Sequence, residues 1–310
     1  MSSSGPSEPT GQAVLASLLR GVLRGILKPR NRAGRPVAAQ RRWLEKVARI
    51  ARVPGSIRIA KGSLRGIPGE WVEAKTRRES SRTILYLHGG AYCIGSPLTH
   101  RALAGHLALV CKARVFVADY RLAPESPYPA AVEDAVSAYR GLLESGAEAT
   151  DIAIVGDSAG GGLTLATALS LRDRELPLPS NLVVFSPWTD LSLEHLGAEP
   201  PGEAMLNRDW LDECARFYAG TASRYDPLIS PVYAQLAGLP PTLVQVGSDE
   251  LILSDAERLS AGIEAAGGRV RLSVFPRRWH VFQLHAGVLT DSDRALREVA
   301  EFLDATAPPC

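Results

Sequence analysis

From Thr83 onward the chain repeats one pattern, a short apolar run, a turn, and an amphipathic stretch of helical length. The apolar runs are Thr83 to Leu87, Arg114 to Ala118, Ile152 to Val155, Leu182 to Phe185, Thr242 to Val246 and Val270 to Phe275. Helices are expected between them near residues 98–111, 130–145, 160–173 and 254–266, with a last one near 286–305. Strands that are apolar along their whole length need cover on both faces, so this alternation implies an α/β fold, a mostly parallel sheet flanked by helices. In such sheets ligands bind beyond the carboxyl ends of the strands.

Two stretches stand outside the pattern. Ahead of it, Ile57 to Ala60 and Trp71 to Ala74 alternate like an opening antiparallel pair, with Gly66-Ile67-Pro68-Gly69 among the breakers between them. Between Trp188 and Leu239 the rhythm stops, and a helix from Arg208 to Ala219 is set among turn-rich segments. With 310 residues the chain reads as one catalytic-sized domain, residues 56–310, preceded by an N-terminal segment of cap helices, 1–55. A cap insertion is expected at about 189–225, on the edge of the sheet where ligands bind.

Within the third of these strand-helix units lies Val155-Gly156-Asp157-Ser158-Ala159-Gly160-Gly161. A Gly-x-Ser-x-Gly turn between a strand and a helix holds a serine hydroxyl proud of the backbone, on a bend tight enough to require glycine on both sides. It also leaves the Ala159 N–H at a helix N-terminus, where negative charge is stabilised. A serine alcohol needs a base, a carboxylate to orient that base, and donors for the oxyanion.

Six histidines are candidates for the base. His280 follows the last predicted strand in Arg277-Arg278-Trp279-His280-Val281-Phe282, on the same edge as Ser158, whereas His285 is expected to begin the final helix. For the orienting acid, Asp249 follows the strand Thr242 to Val246 through Gly247-Ser248. Glu250 is expected to point away in the turn, and Asp255 to cap the helix that follows. The order Ser158, Asp249, His280 is that of the α/β-hydrolases. Oxyanion donors are expected from Gly89 and Gly90 in Tyr86-Leu87-His88-Gly89-Gly90-Ala91-Tyr92, together with Ala159, while His88 braces that loop. Tyr92, Val281 and Phe282 are the candidate substrate-contacting residues.

His88-Gly89-Gly90, Asp119-Tyr120-Arg121-Leu122-Ala123-Pro124-Glu125, Gly156-Asp157-Ser158-Ala159-Gly160-Gly161, Asp249 and His280 together resemble the hormone-sensitive-lipase family of α/β-hydrolase esterases, in the group whose elbow reads Gly-Asp-Ser-Ala-Gly. The resemblance runs from about residue 70 to residue 305. It implies a carboxylesterase acting on small-molecule esters of short to medium acyl chains, with a cap made of the N-terminal helices and an insertion after the sixth strand. It also implies that the block from Asp119 to Glu125 is chiefly structural, that the first two glycines of the His-Gly-Gly motif are the oxyanion donors, and that two copies pair along the last strand, near Val270 to Phe275. Where the family usually has a third glycine, this chain has Ala91.

The charge is unevenly spread. Residues 1–62 carry 13 Lys or Arg against 2 Glu, a net of +11, so the rest of the chain carries −9 within an overall +2. From Val14 to Leu27 apolar residues recur at helical spacing beside Arg20, Arg24 and Lys28. The preferred reading is a cap helix covering the active-site cleft; a peripheral membrane lipid hydrolase that uses this helix as an interfacial anchor is the alternative. A non-catalytic small-molecule receptor on the same scaffold is a third reading, against which an intact Ser158, Asp249 and His280 argue. No cofactor and no metal are expected, since no ligand cluster has metal spacing, and no nucleic-acid partner is expected. Cys93, Cys111, Cys214 and Cys310 lack paired spacing and read as free thiols, which with the absence of a basic, apolar start predicts a cytoplasmic protein.

Overall fold

The structure, a computed structural model, describes residues 10–76 and 82–306. Eight strands form one sheet in the order β1-β2-β4-β3-β5-β6-β7-β8. They are β1 (Ile57–Leu64), β2 (Ile67–Ala74), β3 (Thr83–Leu87), β4 (Arg114–Ala118), β5 (Ile152–Asp157), β6 (Asn181–Phe185), β7 (Thr242–Gly247) and β8 (Val270–Phe275). The first two pair antiparallel with each other, β2 runs antiparallel to β4, and β3 to β8 are parallel. Every residue of β3, β5, β6 and β7 is buried. This is the burial on both faces that their continuous apolar sequences require. The β1–β2 turn is tighter than the sequence implies: Arg65 and Gly66 both take positive φ, and Ile67-Pro68-Gly69 belongs to β2 rather than to the loop.

Helices α3 (Pro97–Val110), α4 (Ala130–Glu144), α5 (Ala159–Asp173), α7 (Leu253–Ala265) and α8 (Thr290–Ala305) flank the sheet in two layers with separate apolar clusters. The last helix begins at Thr290 rather than near 286, because Phe282–His285 forms a 3-10 turn of its own. Asp255 lies inside α7 and does not cap it. Its buried carboxylate accepts the N–H groups of Thr189 and Asp190, and so anchors the start of the irregular region after β6.

The remaining helices lie over the carboxyl ends of the strands. They are α1 (Thr10–Val22), extended by a wider turn over Leu23–Leu27 and a 3-10 turn over Lys28–Arg30, then α2 (Val37–Ala48) and α6 (Arg208–Ala219). The apolar residues of α1 divide into two sets. Ala16, Leu15, Leu19 and Leu23 pack on Phe275, Trp279 and Phe282, whereas Val14, Leu18, Val22 and Ile26 are exposed. Two arginines tie the segment to the body. Arg20 reaches the loops after β7 and β8, and Arg41 donates to the Cys93 and Ala123 carbonyls and to Glu125. Cys93, Cys111 and Cys214 are buried free thiols, and Cys310 lies outside the described residues. No helix among the described residues is long and apolar enough to cross a membrane.

Candidate active site

Ser158 sits between β5 and α5 with φ 52° and ψ −121°, outside the regions an L-residue favours. Such a conformation costs about 1–3 kcal/mol and persists only where the surroundings enforce it. Here a Cβ on Gly156 would run into the Gly160 carbonyl, and one on Gly160 into the Leu87 carbonyl, so side chains are excluded on both sides of the bend. The Ser158 N–H is fixed on the Phe185 carbonyl at 2.8 Å.

The loop after β8 brings His280 to this turn. Its Nε2 lies 2.8 Å from Ser158 Oγ, and its Nδ1 lies 2.9 Å from Glu250 Oε2. With Nδ1–H donating to the carboxylate, Nε2 is left to accept the serine proton. Val281, the next residue, is β-branched yet left-handed at φ 49°. Its N–H donates to Ser186 Oγ at 3.0 Å, and that hydroxyl donates to Glu250 Oε1 at 2.6 Å. Ser186 thus locks the acid and the histidine loop with one group.

Asp249 is not where the sequence placed it. Its Oδ2 pairs with Arg20 Nη1 at 3.0 Å, away from His280. The reason is the way the turn is pinned. Ser248 N–H donates to the Phe275 carbonyl and Asp249 N–H to the Arg278 carbonyl, both at 2.9 Å, which turns residue 249 toward α1 and residue 250 inward. Glu250 is then folded back on its own turn by the Gly247 N–H, at 2.6 Å. The longer glutamate side chain spans the gap to Nδ1.

The loop expected to supply oxyanion donors differs from that expectation in one N–H. The Gly89 N–H is taken by Asp157 Oδ1 at 3.0 Å, an oxygen that also accepts the Tyr86 hydroxyl at 2.7 Å. A Cβ on Gly89 would strike the same carboxylate, so this glycine is required for close packing against Asp157. The N–H groups of Gly90, Ala91 and Ala159 have no partner among the described residues. Gly90 and Ala91 both have positive φ, 123° and 52°. Ala91 therefore holds, at some strain, the backbone that a glycine would adopt freely. His88 stacks on Tyr120 at 4.4 Å, with Nδ1 2.9 Å from the Gly89 carbonyl.

A cavity of about 120 Å³ opens beside Ser158 and His280. Its walls include Val281 and Leu284, with Leu27 and Leu44 from the N-terminal segment and Leu206 and Trp210 from the region after β6. Tyr92 and Phe282, expected to touch substrate, are core residues instead. Tyr92 stacks face to face on Tyr218 at 3.7 Å, and Phe282 packs on Phe275 at 4.7 Å. Their position next to motif residues did not reveal which way a strand-end loop turns its side chains.

Burial pulls the His280 pKa down, but the hydrogen bond and charge of Glu250 more than offset it, and the net displacement is upward. His88 goes the other way, to about 3, through burial and the neighbouring His100, so it is neutral and unsuited to proton transfer at ordinary pH. Burial also lowers His285, to about 4. Burial alone would raise Asp157, but His100 and the Tyr86 hydroxyl hold it below the usual carboxylate range, ionised beneath the Gly89-Gly90 turn. Among the described residues no group of three or more His, Cys, Asp or Glu is arranged to hold a metal ion.

Glu250 and Ser186 are the site residues that sequence reasoning missed. A doublet Asp249-Glu250 offers two carboxylates, and only the loop pairing decides which one faces inward. Nothing in Phe185-Ser186-Pro187 marks its serine as a link between two other loops.

The family described as alpha/beta hydrolase fold matches residues 84–284. An acetyl-hydrolase of Streptomyces hygroscopicus is 44% identical over 237 residues, 76% of this chain and 78% of its own. The putative acetyl-hydrolase LipR of Mycobacterium tuberculosis is 35% identical across 91% of this chain and 92% of its own. A crystal structure of an esterase from the bacterial hormone-sensitive lipase family superposes with a TM-score of 0.88 at 36% identity, covering 97% of this chain and all of that one. With the strained serine turn and the histidine beside it, these likenesses establish that the chain belongs to the hormone-sensitive-lipase family of α/β-hydrolase-fold esterases and is a carboxylic ester hydrolase.

Proposed function

We propose that this esterase cleaves short-chain carboxylic esters by two-step acyl transfer, with Ser158 as nucleophile, His280 as base and Glu250 as the acid that orients it. The carrying observation is the unbroken chain of contacts Ser158 Oγ, His280 Nε2, His280 Nδ1, Glu250 Oε2, at 2.8 and 2.9 Å. His280 takes the hydroxyl proton as Ser158 Oγ attacks the ester carbonyl, and the carbonyl π electrons move onto oxygen. The unpartnered N–H groups of Gly90, Ala91 and Ala159 receive that oxyanion. The imidazolium then gives its proton to the departing alcohol. Water, deprotonated by the same histidine, attacks the acyl-enzyme and releases the acid, and Ser158 recovers its proton.

The small, mainly apolar cavity supports acyl groups at the short end of the short-to-medium range. The segments 10–55 and 189–225 act as the cap that closes it. The free edge of β8, where Leu272 and Val274 are exposed, suits pairing of two copies, which the mass of the protein in solution would test.

Hydrolysis of p-nitrophenyl esters of increasing acyl length, with Ser158→Ala and His280→Ala beside the parent, tests the assignment. Both variants are expected to fall by about 10³-fold or more, and the parent to favour the shorter esters. Turnover that survives Ser158→Ala would sink the mechanism. A second reading, a peripheral lipid hydrolase, draws on the exposed outer face of α1 formed by Val14, Leu18, Val22 and Ile26. Flotation with anionic liposomes decides it, since an anchor would bind at low salt and release at high salt.

A further inference from the structure

Glu250 is held in place through its neighbours. The preceding residue, Asp249, is gripped by Arg20 of α1, whose Nη1 lies 3.0 Å from Asp249 Oδ2. The following residue, Leu251, donates its N–H at 2.8 Å to Oε2 of Glu203, in the region after β6. The other oxygen of Glu203 accepts the N–H groups of Met205 and Leu206, at 2.7 and 2.9 Å, so a fully buried carboxylate joins its own turn to the loop that bears Glu250. Gly202 lies against Asp249 so closely that a Cβ would overlap the carboxylate. Arg20 also spans to the second loop, since Nη2 donates to the Arg277 carbonyl at 2.6 Å and the guanidinium stands 5.6 Å from the Trp279 ring.

From this arrangement we infer that Arg20 and Glu203 are positioning residues for the hydrolytic reaction, through which the two cap segments set the geometry of Glu250 against His280. The inference rests on the proposed Ser158-His280-Glu250 mechanism. A wall of a pocket need touch only substrate. Neither residue lines the cavity itself, although Glu203 holds the backbone of the wall residue Leu206, and together they clamp the residues immediately before and after the acid. Docking of the cap is thereby coupled to competence of the base. With α1 displaced, Asp249 loses its cation, the loops after β7 and β8 lose the link that Arg20 adds to their backbone pairing, and Glu250 gains freedom to leave Nδ1. A misplacement of about 1 Å at such a site costs about 10²-fold in rate.

The direction of a pH shift separates this role from simple electrostatics. His280 faces the carboxylates of Glu250, Glu203 and Asp157. Removing the Arg20 cation acts directly by making the imidazolium easier to form, which moves the acid limb of the rate profile to higher pH. Loosening Glu250 does the reverse, because the group that stabilises the imidazolium is displaced.

The experiment measures kcat, KM and the pH profile of kcat/KM for Arg20→Ala, Arg20→Lys and Glu203→Gln on a short p-nitrophenyl ester. The expected result for Arg20→Ala is a loss in kcat of about tenfold or more with KM changed far less. Its acid limb should move to lower pH, and Arg20→Lys should recover part of the rate. Glu203→Gln should show the same division between kcat and KM. Unchanged kcat with a raised KM, or an acid limb displaced to higher pH, would overturn the inference and leave Arg20 a wall or a distant charge. Should Arg20→Ala fail to fold, Asp249→Asn breaks the same pair from the body side and must lower kcat for the inference to stand. Failure of the underlying mechanism is distinguishable, because the parent's turnover would then survive Ser158→Ala.

Discussion

Glu250 and His280 meet at the ends of adjacent strands, with Oε2 and Nδ1 2.9 Å apart and both side chains almost wholly buried. The residue before the glutamate, Asp249, faces the opposite way, into an ion pair with Arg20. A single step along the chain thus separates the carboxylate that meets His280 from one that holds Arg20 of α1.

Neutralising each of the two should therefore have unequal consequences. Glu250→Gln removes the charge that stabilises the imidazolium and is expected to lower kcat/KM by about 10³-fold or more. Asp249→Asn, which breaks the pair with Arg20, should lower kcat by a smaller factor, about tenfold. Equal losses, or the larger loss at Asp249, measured on one ester at one pH, would return the orienting role to the aspartate.

The acid limb of the pH profile follows from the upward displacement of the His280 pKa. Only the neutral imidazole can take the serine proton, so kcat/KM should fall as pH drops through a midpoint above the ordinary imidazole value. In Glu250→Gln burial loses its largest counterweight, and the midpoint of the residual activity should move to lower pH. The same shift has a stability consequence of defined sign. A group whose pKa is higher in the folded chain stabilises the fold fully below its unfolded value, and that contribution is lost as pH rises through the folded one.

The proposed oxyanion role of the Gly90-Ala91 turn can be tested at Gly90. A Cβ there would overlap the Ile94 carbonyl, and the φ of 123° is one that side chains rarely adopt. Gly90→Ala should turn the N–H groups of residues 90 and 91 away from the reacting carbonyl, lowering kcat by about 10²-fold with a smaller effect on KM. An unaltered kcat in a folded variant would place the oxyanion elsewhere.

Asp157 gives a prediction that joins stability to activity. It is the acceptor for both the Gly89 N–H and the Tyr86 hydroxyl, and it lies 3.4 Å from His100 Nε2. Asp157→Ala leaves those buried donors unpaired, and a loss of about 2–4 kcal/mol is expected in denaturant unfolding, with kcat reduced in whatever folds. Stability equal to the parent's would mean that the Asp157 hydrogen bonds do not hold the loop.

Chain-length selectivity should respond to Leu27, which reaches the cavity from the N-terminal segment. Leu27→Ala widens the cavity at a half-buried position. The ratio of kcat/KM for an eight-carbon over a four-carbon acyl ester should rise by about tenfold, the scale set by one or two methylenes in an apolar pocket. No change in that ratio would mean that the acyl chain lies along a different wall.

The layered sheet, the order of its parallel strands along the chain, and the meeting of Ser158 with His280 were legible in the sequence. Continuous apolar runs can be satisfied only inside a layered fold, and the glycines around Ser158 admit only a bend in which both would otherwise collide with backbone carbonyls. His280 was legible because it follows the last strand on the correct edge. The tertiary structure alone decided which of two adjacent acids faces inward, which glycine N–H is free, and which apolar neighbours line the cavity. Each of these depends on pairing between loops distant in sequence. Asp249 is turned outward by bonds to residues 275 and 278, Gly89 is claimed by Asp157, and Tyr92 is claimed by Tyr218. Local pattern fixes which face of a strand is buried because the side-chain period is two. A loop has no such period, so the direction of its side chains is set by the partners that folding brings to it.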